Sequence, residues 1–151
     1  MNELSIKNNS KHKFLFRKDF NNILECFVNI FKYKHPIKVD VLITTNEEIR
    51  QISKEYRNIN KETDVLSFPF EFKNLSSQLG FIFLGEIILS YEKIKSQANK
   101  FNHSIRREIC YLFAHGLVHL SGRDHKKSKQ DEKEFNSLVE LIMNKLEIFR
   151  N

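Results

Sequence analysis

Three histidines carry the sharpest chemistry in this chain: His115, His119 and His125, within the segment His115-Gly116-Leu117-Val118-His119-Leu120-Ser121-Gly122-Arg123-Asp124-His125. A spacing of four residues on a helix stacks His115 and His119 on one face, one turn apart. Each imidazole can then offer a ring nitrogen to one ion at about 2.0–2.1 Å. Gly122 is placed to end the helix in a left-handed turn, which brings His125 back as a third donor. Three neutral nitrogens suit one divalent ion, zinc above all. Structural zinc sites are usually closed by four protein ligands, whereas catalytic ones keep a position open. A three-histidine set therefore predicts a hydrolytic centre in which the ion acidifies water or polarises a carbonyl or phosphoryl oxygen.

The same spacing occurs in metzincin proteases, where a glutamate after the first histidine is the general base. Here that position is Gly116, which cannot accept a proton, so the peptidase reading lacks its essential group. A glycine inside a helix costs about 1 kcal/mol relative to alanine, which suggests that space is needed beside it. Asp124 adjoins the third histidine and is expected to orient that ring or the attacking water. Arg106 and Arg107 open the histidine helix, and Arg123, Lys126, Lys127 and Lys129 surround its last histidine. Cations so placed would favour an anionic substrate. His12, His35 and His103 show no ligand spacing and are read as surface residues.

The elements that must position these groups follow from periodicity. Phe16 to Phe31 places Phe16, Phe20, Ile23, Leu24, Phe27 and Phe31 on one helical face. Lys38 to Thr44 reads as a strand. Asn46 is expected to cap the next helix, with Ile49, Ile52 and Tyr56 as its buried stripe. Val65 to Phe70 reads as a strand, and Glu71 to Gly80 as a polar loop. Phe81 to Leu89 is nearly all apolar and suits a central strand. Ser90 caps a helix reaching about Phe101. Ser104 caps the histidine helix, which runs to about Leu120. A last helix spans about Lys129 to Phe149. The expected fold class is α+β, a small mixed β-sheet with helices packed on it.

The 151 residues fit a single domain, 1–151, with no repeat and no linker. Apolar residues make up 40%, 14 of the residues being Phe, which excludes a disordered tail. Cys26 and Cys110 lie in apolar, helix-like stretches and are expected to be buried, reduced thiols. Met1 to Lys13 is polar and carries no signal-type apolar core. No apolar run approaches the ~20 residues of a membrane span, so a soluble, cytoplasmic protein is expected. The net charge of +6 favours a polyanionic partner.

His115 to His125 resembles the H-G-x-L-H-L-x-G-x-D-H signature of the YbeY endoribonucleases, bacterial rRNA maturation factors, departing from it only at Val118. Tyr56-Arg57 followed by Thr63-Asp64-Val65-Leu66-Ser67-Phe68 resembles that family's Y-R … T-D-V-L-S-F segment, although Glu62 stands where proline is common. Leu84-Gly85-Glu86-Ile87 is similar to its L-G-D-I, with a longer acidic side chain. The resemblance runs from about Val39 to the C-terminus. It implies a sheet with helices on one side and the histidine helix lying centrally. It also implies metal-dependent cleavage of single-stranded RNA, a role in small-subunit rRNA 3′-end maturation and ribosome quality control, and an assembly GTPase among the partners. Arg57 matches the family's arginine in the cleft near the metal, where a guanidinium can bind phosphate bidentately. Val65, Leu66 and Phe68 read as core, and no partner base for Ser67 is identifiable. Two other functions stay open at this point: an assembly factor whose zinc is only structural, and a metal hydrolase acting on another substrate class.

Overall fold

The computed structural model describes residues 1–71, 76–122 and 128–149. Its elements follow in the order β1 (Glu3–Asn8), α1 (Arg17–Phe31), β2 (Ile37–Thr44), α2 (Asn46–Arg57), β3 (Val65–Pro69), α3 (Ser76–Leu79), β4 (Ile82–Ser90), α4 (Tyr91–Lys100), α5 (Ile105–Leu120) and α6 (Lys129–Lys145). The four strands form one mixed sheet in the order β1-β2-β4-β3. β1 and β4 run parallel to β2, and β3 closes one edge antiparallel to β4. This is the α+β architecture that the sequence pattern predicts. No helix among the described residues is long and apolar enough to cross a membrane.

Alternation along the strands assigns the two faces of the sheet. Val39, Val41 and Ile43 of β2 join Ile87 and Leu89 of β4 in the main core, with α1, α5 and α6. Phe20 of α1 stacks on Phe113 of α5 with ring centres 4.1 Å apart, locking the two helices together. Full burial of such a ring stabilises by about 1.5–3 kcal/mol. The opposite face carries Leu42 and Ile88, which pack with Leu66, Ile49 and Ile52 in a second, smaller core under α2. The expectation of helices on one side alone is therefore corrected. Ile49 and Ile52 of α2 cover that face, whereas Tyr56, expected as the third residue of the buried stripe, is exposed because it lies in the last turn, beyond the small core.

Local chemistry sets the helix starts. Ser90, Ser104 and Ser128 each accept a backbone N–H three residues on, at the starts of α4, α5 and α6. At α2 the cap is Thr45, which accepts from the Glu48 N–H, and not Asn46. Asn46 is the first helical residue, and its Oδ1 accepts from Ser90 Oγ at 2.7 Å. Gly122 lies just past the end of α5 with φ +97°, and its N–H donates to His119 O, as the turn requires.

Further corrections concern element bounds and residues read as surface. The polar N-terminus contains β1, whose Leu4 and Ile6 pack on the main core. The Glu71–Gly80 region includes the single turn α3. The last helix ends at Lys145, four residues before Phe149. His12 stacks on Tyr91 at 4.4 Å, and His103 Nδ1 lies 3.7 Å from Glu108, so neither is a plain surface residue. Cys26 and Cys110 are free thiols. Cys110 is buried, and burial pushes its thiol up to about 12, leaving it inert at neutral pH. Cys26 is only half-buried.

Candidate metal centre and its surroundings

α5 places His115 and His119 on one face, their ring centres 4.9 Å apart and their planes 67° to each other. Two imidazoles bound tetrahedrally to one ion at about 2.0–2.1 Å would have ring centres roughly 5 Å apart. The spacing and the two nitrogen donors thus fit a zinc-type ion. Both rings rest on Phe135 of α6, at 4.8 Å and 4.7 Å. Phe135 is 1% exposed and cannot move without opening the α5–α6 seam. It fixes the separation of the imidazoles and keeps water from their inner side. The sequence pattern identifies it only as a core residue, because a contact between helices leaves no trace in spacing.

His125 and Asp124 lie outside the described residues, as do Arg123, Lys126 and Lys127. Among the described residues no group of three or more His, Cys, Asp or Glu side chains converges on a metal position. The described part of the site is therefore the histidine pair and its aromatic support.

Gly116 sits between the two histidines and faces the sheet. A Cβ there would come within 3.0–3.2 Å of three Ile87 side-chain atoms. The missing side chain makes room for β4, not for substrate. A glutamate at this position would be driven into the core beneath the helix and away from the ion, which removes the protease geometry on packing grounds. Two residues before Ile87 on β4, Gly85 has φ +142°, and a Cβ on it would fall 2.2 Å from Phe68 O and 3.1 Å from Leu120. The register of β2 and β4 shifts between Lys38 and Val39, opposite this point. Bulge and glycine together let the C-terminal end of α5 approach the β3–β4 edge closely.

The cations assigned to the histidine helix divide. Arg106 forms a two-pronged pair with Asp19 of α1, at 3.0 and 2.9 Å. Arg107 is 3% exposed; its Nη1 donates to Ile148 O at 2.8 Å, its Nη2 donates to Glu140 at 3.1 Å, and the guanidinium lies over Tyr111. Both arginines are structural ties at the far end of α5 and do not present charge at the histidines.

Arg57 is the last residue of α2, exposed, on the face of the sheet opposite α5. Its neighbour Tyr56 packs edge-on against Phe68 of β3 at 5.9 Å. Glu86 points to this same face. It is in register with Asp40 on β2, and burial together with that neighbouring carboxylate raises its carboxyl above the usual range. In the sequence Glu86 stands out as the charged residue in an apolar strand and as the acidic position of the segment similar to L-G-D-I.

The family description Endoribonuclease YbeY matches residues 3–147. A Mycoplasma mobile protein named Endoribonuclease YbeY is 49% identical over 149 residues, covering 99% of this chain and 97% of its own. A protein of the same name from Mycoplasmopsis pulmonis is 48% identical over 150 residues, covering 99% of this chain and 100% of its own. A third, from Acetivibrio thermocellus, is 41% identical over 130 residues, covering 80% of each chain. Among solved structures, that of TM1509 from Thermotoga maritima superposes with a TM-score of 0.63 at 25% identity, over 96% of this chain and 92% of that one.

Proposed function

The chain belongs to the Endoribonuclease YbeY family and is accordingly a hydrolase acting on RNA; from that premise we propose that it cuts single-stranded ribosomal RNA with one divalent ion, zinc, held by His115, His119 and His125. The observation that carries the metal reading is the pair of imidazoles held 4.9 Å apart against one buried ring. When bound, the ion would supply Lewis acidity toward water and the scissile phosphate.

The chain's own groups have distinct tasks. His115 and His119 act as neutral donors from one helix face, and His125 completes the set from beyond Gly122. Phe135 keeps the first two rings at ligand spacing. Arg57 offers an exposed, bidentate guanidinium for a phosphate of the strand as it passes the β3 edge. Asp124, next to His125, orients that ligand or accepts a proton from the attacking water. The cellular role in this reading is small-subunit rRNA 3′-end maturation and ribosome quality control in the cytoplasm, with the small ribosomal subunit and an assembly GTPase as partners. The net charge of +6 supports a polyanionic substrate.

The test is cleavage of an end-labelled single-stranded rRNA fragment by wild type, His119→Ala and Arg57→Ala, with zinc measured on each preparation. Loss of cleavage in both variants, with zinc retained in Arg57→Ala, is the expected result. Equal cleavage by all three would expose a contaminating nuclease. Absence of cleavage by metal-replete wild type would sink the catalytic reading. A 2′-deoxy residue at the cut site separates attack by the substrate's own hydroxyl, which it blocks, from attack by water.

A further inference from the structure

A groove of about 520 Å³ opens between α2 and the sheet face behind the histidine helix, walled by Leu42, Ile52, Phe68 and Ile88, with Tyr56 at its mouth and Glu86 in its lining. Tyr56 is 69% exposed, an unusual state for a ring whose edge is already held by Phe68. Rigid, exposed aromatic faces are what single-stranded nucleic acids stack on. Lys54 and Arg57 flank Tyr56 in the last turn of α2 and place cations where phosphates would run. The interior has the opposite sign: Glu55 joins Glu86 in the lining, so a phosphate is repelled there. A carboxylate beside apolar walls accepts hydrogen bonds from the exocyclic amino groups of cytosine, adenine or guanine, which uracil lacks.

Register connects this groove to the histidines. Glu86 is paired with Phe68 across β3–β4, while its neighbours Gly85 and Ile87 face the other way and meet Leu120 and Gly116 of α5. Groove and histidine helix therefore meet neighbouring residues of β4 from opposite faces of the sheet.

We propose that this groove is a base subsite of the substrate RNA: one unstacked, amino-bearing base inserts between Tyr56 and the apolar floor and is read by Glu86. The inference rests on the RNA reading above and adds a preference for which base of the bound strand the protein holds. Burial and Asp40 leave the Glu86 carboxyl short of compensation, and a donor from the base supplies it.

The test uses the full chain and fluorescent 2′-O-methyl strands of oligocytidine, oligoadenosine and oligouridine of equal length, with binding read by anisotropy and probe integrity checked on a gel. Wild type is expected to bind the amino-bearing strands roughly tenfold tighter than oligouridine. Tyr56→Ala should weaken binding roughly tenfold, with Tyr56→Phe restoring it to within about twofold, because stacking needs the ring and not the hydroxyl. Glu86→Gln should level the three affinities, since an amide also donates to uracil. Circular dichroism confirms that each variant is folded. Equal affinities for all three strands, unchanged in Tyr56→Ala and Glu86→Gln, would overturn the proposal; if the metal-loaded protein still cuts RNA, the base subsite alone is lost. Wild type that neither binds nor cuts RNA would remove the RNA reading and the subsite with it. An oligolysine peptide bound by wild type but not by Glu86→Gln, alongside RNA binding indifferent to Tyr56→Ala, would assign the groove to a basic protein segment and overturn the proposal.

Discussion

At the scale of single residues, Gly116 and Glu86 show how close the site lies to its limits of space and charge. Gly116→Ala forces a methyl against Ile87, which is itself buried and pinned between helix and strand. Overpacking of this kind costs typically 1–3 kcal/mol, partly offset by the better helix propensity of alanine, about 1 kcal/mol. A net loss of stability is expected in urea melts, together with weaker metal retention as α5 is pushed from β4. Unchanged stability would mean that Ile87 repacks freely. For Glu86 the sign follows from the raised carboxyl. Folding favours the protonated form, so the charged form carries a penalty. That penalty is absent at pH below the ordinary carboxylate range, grows as pH rises through the raised value, and is complete above it. Glu86→Gln is therefore expected to raise the melting temperature at pH 8, by about 1–3 °C for a like-charge cross-strand pair, and to leave it unchanged near pH 4. Equal shifts at both pH values would show that charge is not the cause.

At the scale of elements, the seam between α5 and α6 does two jobs through two residues. Phe135 supports the histidines from α6, and Arg107 ties the start of α5 to the chain after α6 through Ile148 O. Phe135→Leu keeps an apolar side chain but loses the inclined ring-to-ring contact with both imidazoles. Metal affinity, measured by competition with a chromophoric chelator, should fall by about 10–100-fold, as when groups supporting metal ligands are lost. Affinity equal to wild type would confine Phe135 to the core. Arg107→Met keeps the stem and strands the Ile148 carbonyl, at a cost of about 1–3 kcal/mol. RNA affinity should be unaffected. Arg57→Ala should behave in the opposite way, with stability within about 0.5 kcal/mol and weaker RNA binding. Exchange of these two outcomes would reverse the roles assigned to the arginines. Much at this scale was legible in the sequence. Periodicity revealed α1, β2, β4 and the histidine helix because each carries a strong apolar repeat, and the caps Ser90 and Ser104 were readable from a serine before the repeat. β1 was not, because its two apolar residues, Leu4 and Ile6, sit among polar ones and gain meaning only through pairing with β2. The task of Arg107 was hidden for the same reason: its partners lie 33 and 41 residues away.

At the scale of the whole molecule, the sheet divides labour between its faces. One face holds the main core and the histidine helix; the other holds α2, the exposed Tyr56 and an acidic groove in a chain of net charge +6. Attraction of RNA is then a property of the overall field, and orientation a property of local sign changes. RNA affinity should fall steeply and linearly on a log–log plot against salt, the slope counting phosphates neutralised. Arg57→Ala should reduce that slope by about one, whereas Tyr56→Ala should shift the line without tilting it. Parallel lines for both would show that Arg57 touches no phosphate. The pairing of His115 and His119 was legible because it is local in sequence, whereas His125 lies outside the described residues. The two-faced arrangement was not, because it depends on α2 crossing to the far side of the sheet.

The strand order has a consequence for a chain growing from its N-terminus. β1, α1 and β2 are contiguous and can assemble as soon as they are made. β3 emerges next, yet its sole sheet neighbour, β4, follows more than a dozen residues later, as residues 82–90 against 65–69. In that interval Leu66 and Phe68 have no ladder to join, which is the state in which nascent strands pair wrongly or need a chaperone. α5 and then α6 arrive last, and with α6 comes Phe135. In the proposed metal reading, competence to hold an ion is thus postponed to the final stage of synthesis, and a prematurely terminated chain would complete much of the sheet while lacking the ring against which its histidines pack.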